Sequence, residues 1–281
     1  AFNAPYINKN SYGNTYGEHR SALEFGKSEY LECVAKAKEC NIDFFATAFD
    51  FESVDFLMDI DVPAFKVASG DLKSIQLLKY LAETRKPLII STGGAKLDDV
   101  KRAHSIISPI HENFSILQCT AGYPPNYEEL NLKVIETYRK EFPNTVIGYS
   151  GHDSGIAMAL VAFVLGARVI EKHFTLNRAM KGTDHSFSLE PLGLTKLSRD
   201  IKRTQLALGD GVKKTYDSEV LPIRKMSKSI YFNGDFTAGE LLAEHMVSFK
   251  SPGEALAPYE LEKYIGRRLL KNVSYETPLS A

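Results

Sequence analysis

TVIGYSGHD (Thr145–Asp153), followed after an apolar segment by RVIEKHFT (Arg168–Thr175), carries the fold in miniature. Each is a short run of β-branched and aromatic residues, with a histidine, His152 or His173, at or just past its C-terminal end. Between them Gly155–Leu165 reads as a helix. Strand, helix and strand in that order make a parallel βα unit, because parallel neighbours need a crossover. The cadence recurs upstream, with strand candidates at Asp43–Phe49, Ala64–Ser69, Pro87–Thr92 and Phe114–Thr120. Their nearly continuous apolar content is that of strands covered on both faces. Helix candidates fall at Ser28–Cys40, Ser53–Met58, Leu97–Ser108 and Leu130–Glu141. A last one, Leu194–Leu208, sets Leu194, Leu197, Ile201 and Leu208 on one face.

Six such units suit either an open doubly wound sheet or part of a (β/α)8 TIM barrel. The dinucleotide fingerprint G-x-G-x-x-G is absent, as is the P-loop pattern. Polar residues collect instead at the C-terminal end of nearly every strand, where a barrel builds its active site. Six is two short of eight. The chain opens Ala1-Phe2-Asn3 without a methionine, so the expectation is an α/β barrel with its N-terminal strands missing. The barrel is expected over residues 1–212, a polar linker over 213–224, and a small β-rich module over 225–281, where Gly239, Pro252-Gly253 and Pro258 mark turns.

The 281 residues are 44% hydrophobic and 25% charged, with a formal net charge of -1. That balance, without a run of one sign, argues against a nucleic-acid surface. The longest apolar stretch, Ile156–Gly166, is too short to cross a bilayer and reads as a buried helix. Cys33, Cys40 and Cys119 show no metal-finger or CxxC spacing. Reduced thiols in a cytoplasmic protein are expected, with Cys40 and Cys119 packed in the core.

His152 and His173 sit at the ends of neighbouring strands, about 4.8 Å apart in a sheet. Two imidazoles there suit a divalent cation that keeps other positions open for substrate; two satisfied structural histidines are the alternative. Lys66 lies in FKVASG (Phe65–Gly70) beside Val67, so one of the pair faces the barrel interior and the other the helices. A lysine inside a barrel is costly unless it meets an anion, and Ser69 ends the same segment. Ser91-Thr92-Gly93-Gly94 closes the next strand, with residues small enough for backbone N–H groups to approach a phosphate. Tyr123, in Thr120–Pro124, is placed to hydrogen-bond a substrate or simply to pack before Pro124. Asp184, in the polar loop KGTDHS (Lys181–Ser186), could orient a hydroxyl or join an acid–base step, or be a solvated carboxylate.

Taken in order, these segments resemble the sialic acid synthase (N-acetylneuraminate synthase) family. The resemblance runs through Pro5-Tyr6 with Gly13–His19, then Phe65–Asp71, Ile90–Gly93, Leu117–Pro124, Ile147–His152, Glu171–Thr175 and Gly182–Pro191. In the C-terminal module Gly239–Leu242, Lys250–Gly253 and Ile265-Gly266 resemble the family's antifreeze-like (SAF) domain. The resemblance implies a TIM barrel plus that domain, assembled as a domain-swapped homodimer. It implies condensation of phosphoenolpyruvate with N-acetylmannosamine or its 6-phosphate. His152 and His173 would bind Mn2+ or Mg2+. Lys66, Ser69, Ser91, Tyr123 and Ser150 would hold phosphoenolpyruvate, and Asp184 would contact the sugar; Lys66, Tyr123 and Asp184 are the expected catalytic residues.

Three departures qualify it. The family's first two strands carry a Glu and a phosphate-binding Lys without counterparts here. Ala121 stands where several bacterial members have Asn, and Ser251 where their partner subunit offers Arg. The last two, with the extended Tyr6–His19 segment, lean towards a phosphorylated acceptor. A related nonulosonate synthase (pseudaminic, legionaminic or deaminated sialic acid) and an inactive truncated paralogue are the competing readings.

Overall fold

The computed structural model describes residues 2–280. Six parallel strands form one sheet in strict chain order: β1 (Ala46–Thr47), β2 (Phe65–Val67), β3 (Leu88–Ser91), β4 (Phe114–Cys119), β5 (Val146–Gly151) and β6 (Val169–Lys172). Five lie within stretches that the apolar runs predict, and β5 overlaps its own but runs one residue past it, to Gly151. Sequential order with no reversal excludes the doubly wound alternative, whose strand order switches direction. The result is a parallel half-barrel; the described residues supply six of the eight strands a closed barrel requires. Registers run Phe65↔Leu88, Ile90↔Ile116, Leu117↔Gly148 and Ser150↔Glu171 across successive pairs.

Helices α1 (Tyr16–Ser21) and α2 (Lys27–Glu39) precede the sheet. Then α3 (Phe51–Asp59), α4 (Ile75–Glu83), α5 (Leu97–Ile107), α6 (Val134–Glu141) and α7 (Ala157–Val164) make the crossovers, and α8 (Pro191–Leu208) closes the first unit. Local chemistry sets the starts. Thr15 and Glu18 form a reciprocal capping box on α1, and Asp50 caps α3 by accepting from the Ser53 N–H at 2.7 Å. The core lies between sheet and helices. It includes Leu78 and Leu81 of α4, Ile107 of α5, and Phe65, Val67, Leu88 and Ile90 of the strands. Each fully buried Leu or Ile contributes about 1.5–3 kcal/mol, so the sheet's backbone is rigidly backed beneath its polar end.

Several expectations change. Leu130–Glu141 is not one helix: a 3-10 turn at Tyr127–Glu129 precedes it, Asn131 takes φ 40°, and α6 begins only at Val134. Of the four residues on the stripe of α8, Leu197 is buried and Ile201 packs beside it, whereas Leu194 and Leu208 are exposed. Cys40 is exposed too, because it caps α2 after the last buried turn, while Cys119 is buried as expected.

The chain divides after Leu208. In the second unit the later part of the segment expected as a polar linker folds as α9 (Asp217–Met226), started by Glu219, which accepts from the Tyr216 N–H at 2.8 Å. Pro222 within it lowers its periodicity signal without stopping it. Beyond it, β7 (Ser229–Phe232) pairs antiparallel with β8 (Val247–Lys250). Isolated bridges such as Phe236↔Val273 and Leu241↔Arg268 extend this small β unit. Its core is Ile230, Phe232, Leu242, Met246, Val247, Leu261 and Leu279. No described helix is long and apolar enough to cross a membrane.

Candidate active site

A cavity of about 780 Å³ opens at the C-terminal ends of the strands. Strand alternation decides what faces it. On β2, Phe65 and Val67 enter the core and Lys66 points into the cavity; on β6 and just beyond, Glu171 and His173 point in and Lys172 points away. All eight residues singled out by sequence (Lys66, Ser69, Ser91, Tyr123, Ser150, His152, His173 and Asp184) line this one space.

Lys66 is held at three points. Its ammonium donates to Ser91 Oγ at 2.8 Å and to the Val67 carbonyl at 3.0 Å, and lies 3.5 Å from Glu171 Oε2. Glu171 Oε1 accepts from Ser150 Oγ at 3.1 Å. Four polar side chains from β2, β3, β5 and β6 thus form one chain across the cavity floor. The Gly93 N–H, expected to be free for a phosphate, donates instead to Ser69 Oγ at 2.9 Å. Thr92 is turned away and buried, donating to the Leu117 carbonyl and accepting from Tyr138. The glycine turn therefore positions Ser69, whose hydroxyl also contacts Cys119 Sγ at 3.6 Å.

The two histidines stand edge to face, with ring centroids 5.1 Å apart. His152 Nδ1 is 2.9 Å from the Thr120 carbonyl; a carbonyl only accepts, so Nδ1 carries the proton and Nε2 keeps a free lone pair. Asp184 Oδ2 lies 3.5 Å from His173 Nδ1, and Asp184 Oδ1 accepts from Thr183 Oγ1 at 2.9 Å. Burial pushes both imidazole pKa values below the usual range, with Asp184 and Glu171 pulling His173 partly back. Neutral imidazoles with a bare nitrogen are competent cation ligands. No group of three or more His, Cys, Asp or Glu among the described residues has ligand spacing. His152 and His173 alone would offer a cation two protein ligands, its remaining positions left to water or substrate. Tyr123 stacks on His152 at 4.2 Å and meets His173 edge-on at 5.9 Å. Burial raises the pKa of its phenol, keeping it a neutral donor.

Glu171 is not among the residues expected in the site, although the period of two that points His173 inward points Glu171 inward as well. The segment before α1 and α1 itself also reach the cavity, through Tyr6 and His19; buried His19 lies between Tyr6, at 5.0 Å, and Tyr12, at 6.0 Å. Tyr12 hydroxyl donates to the Lys181 carbonyl at 2.5 Å, tying this segment to the loop that carries Asp184. No periodic pattern announces such a contact.

The model of the NeuB family matches residues 1–213. The chain belongs to the NeuB family. Among curated relatives of this NeuB-family chain, the N-acetylneuraminate-9-phosphate synthase of Homo sapiens is 39% identical over 274 residues, covering 97% of this chain and 76% of the relative. The N,N'-diacetyllegionaminic acid synthase of Campylobacter jejuni is 38% identical over 253 residues, covering 89% of this chain and 75% of that protein. Among solved structures, the sialic acid synthetase of Leptospira borgpetersenii, in complex with citrate, superposes with TM-score 0.68 at 35% identity, over 75% of each chain. The resemblance drawn from the motifs and the family match therefore agree, and each motif stretch of the first unit contributes at least one residue to the cavity lining.

Proposed function

We propose that this chain condenses phosphoenolpyruvate with the open-chain aldehyde of N-acetylmannosamine, or of its 6-phosphate, giving N-acetylneuraminate or its 9-phosphate and inorganic phosphate. The observation that carries the reading is Lys66, a cation inside the cavity flanked by Ser69, Ser91 and Ser150. Such a floor suits a small dianionic substrate whose carboxylate and phosphate need a fixed cation and several hydroxyl donors.

In this reaction C3 of phosphoenolpyruvate forms a bond to the aldehyde carbon, whose carbonyl electron pair moves to oxygen and takes up a proton. Water then adds at C2, and the tetrahedral species expels phosphate. Lys66 and the three serines hold the anion and align C3 with the aldehyde. Mn2+ or Mg2+ held by His152 and His173 would supply Lewis acidity at the aldehyde oxygen. Thr120 and Asp184 keep the two rings oriented, and Asp184 also faces the space left for the sugar. Tyr123 closes one side with its ring against His152.

Similarity to the human 9-phosphate synthase supports the phosphorylated acceptor. Similarity to the Campylobacter enzyme supports a second reading, an acceptor that is a diacetamido sugar. The decisive test is an acceptor panel read by mass spectrometry of the keto-acid product. A product from N-acetylmannosamine 6-phosphate in preference to the other acceptors is expected; no product from any amino sugar would refute the proposal.

A further inference from the structure

Behind the two histidines, on the reverse face of β5 and β6, lies a buried charged cluster that the cavity does not use. Lys172 Nζ sits 3.0 Å from Asp153 Oδ1 and also donates to the Asp153 carbonyl. Tyr149 hydroxyl donates to the same Oδ1 at 2.7 Å. The Lys172 and Asp153 side chains are 4% and 1% exposed. A buried ion pair of this kind rarely repays its desolvation against an apolar pair of the same volume, so its presence calls for a role beyond stability. Asp153 Oδ2 moreover has no hydrogen-bond partner among the described residues, a cost that marks a constrained site.

The position of the cluster suggests that role. Asp153 directly follows His152 and Lys172 directly precedes His173, while register pairs Gly151 with Lys172. The strands are therefore joined twice at the same level: through Ser150 and Glu171 inside the cavity, and through Asp153 and Lys172 outside it. Space for the outer link is specifically provided. A Cβ on Gly151 would fall 2.5 Å from Tyr149 Cε1 and 2.7 Å from Asp153 Oδ1, so a side chain there would expel one or the other.

We infer that Asp153, Lys172 and Tyr149 are positioning residues that fix the separation and relative orientation of His152 and His173. The inference rests on the reading of those imidazoles as cation ligands. Partners that orient ligands without touching the ion typically change metal affinity by about 10–100-fold when removed.

The test is Mn2+ affinity by calorimetry, measured beside phosphoenolpyruvate binding in chelator and thermal melting. The proteins are wild type, His152→Ala, Tyr149→Phe and the double variant Asp153→Asn/Lys172→Met, which removes both charges together. The double variant should melt near wild type and bind phosphoenolpyruvate as wild type does, because Lys66 and the serines are untouched. Its Mn2+ affinity should fall by about tenfold or more. Tyr149→Phe, which strands no charge, should show a smaller loss in the same direction and decides the matter if the double variant does not fold. Wild-type Mn2+ affinity in the folded variants would overturn the inference while leaving the ligand reading intact. Wild-type protein binding no Mn2+, with His152→Ala indistinguishable from it, would overturn both.

Discussion

Replacing Lys66 with methionine isolates the charge at the centre of the cavity, because the stem keeps its length and only the ammonium is lost. In the protein the ammonium lies 3.5 Å from Glu171 Oε2, where an effective dielectric of about 20 gives roughly 5 kcal/mol of attraction. Little of that is stability. The Glu171 side chain is 36% exposed and keeps its bond to Ser150, so losing the pair should cost about 0–1 kcal/mol. For a unit of this size that is a fall of about 4 °C or less in Tm. Phosphoenolpyruvate is another matter, since a charge-assisted hydrogen bond to a bound anion is worth roughly 1.5–3 kcal/mol. Lys66→Met should therefore raise the phosphoenolpyruvate Kd by roughly 10–100-fold with nearly unchanged melting, read by calorimetry and circular dichroism on the same samples. An unchanged Kd in a folded Lys66→Met protein would refute the assignment of this lysine to the anion.

Gly93→Ala would set a Cβ 2.9 Å from Ser69 Oγ and 3.0 Å from Ala121 Cβ; phosphoenolpyruvate binding should weaken with the fold retained, checked by calorimetry. His104, stacked on Phe142 at 4.7 Å, has a pKa lowered by burial, so the unfolded chain binds its proton first on acidification. Its contribution is complete above about pH 6.5 and is lost as pH falls below that value; a His104→Gln protein should lose less stability than wild type between about pH 7 and 5 in denaturant titrations. Phe232→Ala in the small unit empties a site that is 1% exposed and should cost about 3–5 kcal/mol, seen as rapid proteolysis within 229–250.

The strands were legible because they are buried on both faces: FSILQC of β4 is buried at every position, and such a run can hardly be read otherwise. Ser91, His152 and His173 were legible as site residues because each is polar at or just past the end of an apolar strand, and Lys66 because it is a charge inside one, where no core reason exists for it. Glu171, two residues before His173 and on the same face, carries the same signal in weaker form, because a carboxylate is common on any polar surface. The aromatic cluster of Tyr6, Tyr12 and His19 depends on contacts across more than 150 residues, such as Tyr12 with Lys181, and no local pattern encodes these. Helix α9 was hidden by Pro222 and by the exposure of its apolar residues, Val220, Leu221 and Ile223, which erase the two-sided pattern that marks a packed helix.

The proposed reaction joins phosphoenolpyruvate to an amino-sugar aldehyde in one cavity. Phosphate release measured with phosphoenolpyruvate, N-acetylmannosamine 6-phosphate and Mn2+, each omitted in turn, tests it most directly. Release, matched mole for mole by keto acid, is expected only when all three are present. Release that continues without the sugar, or a complete mixture that yields neither product, would contradict it.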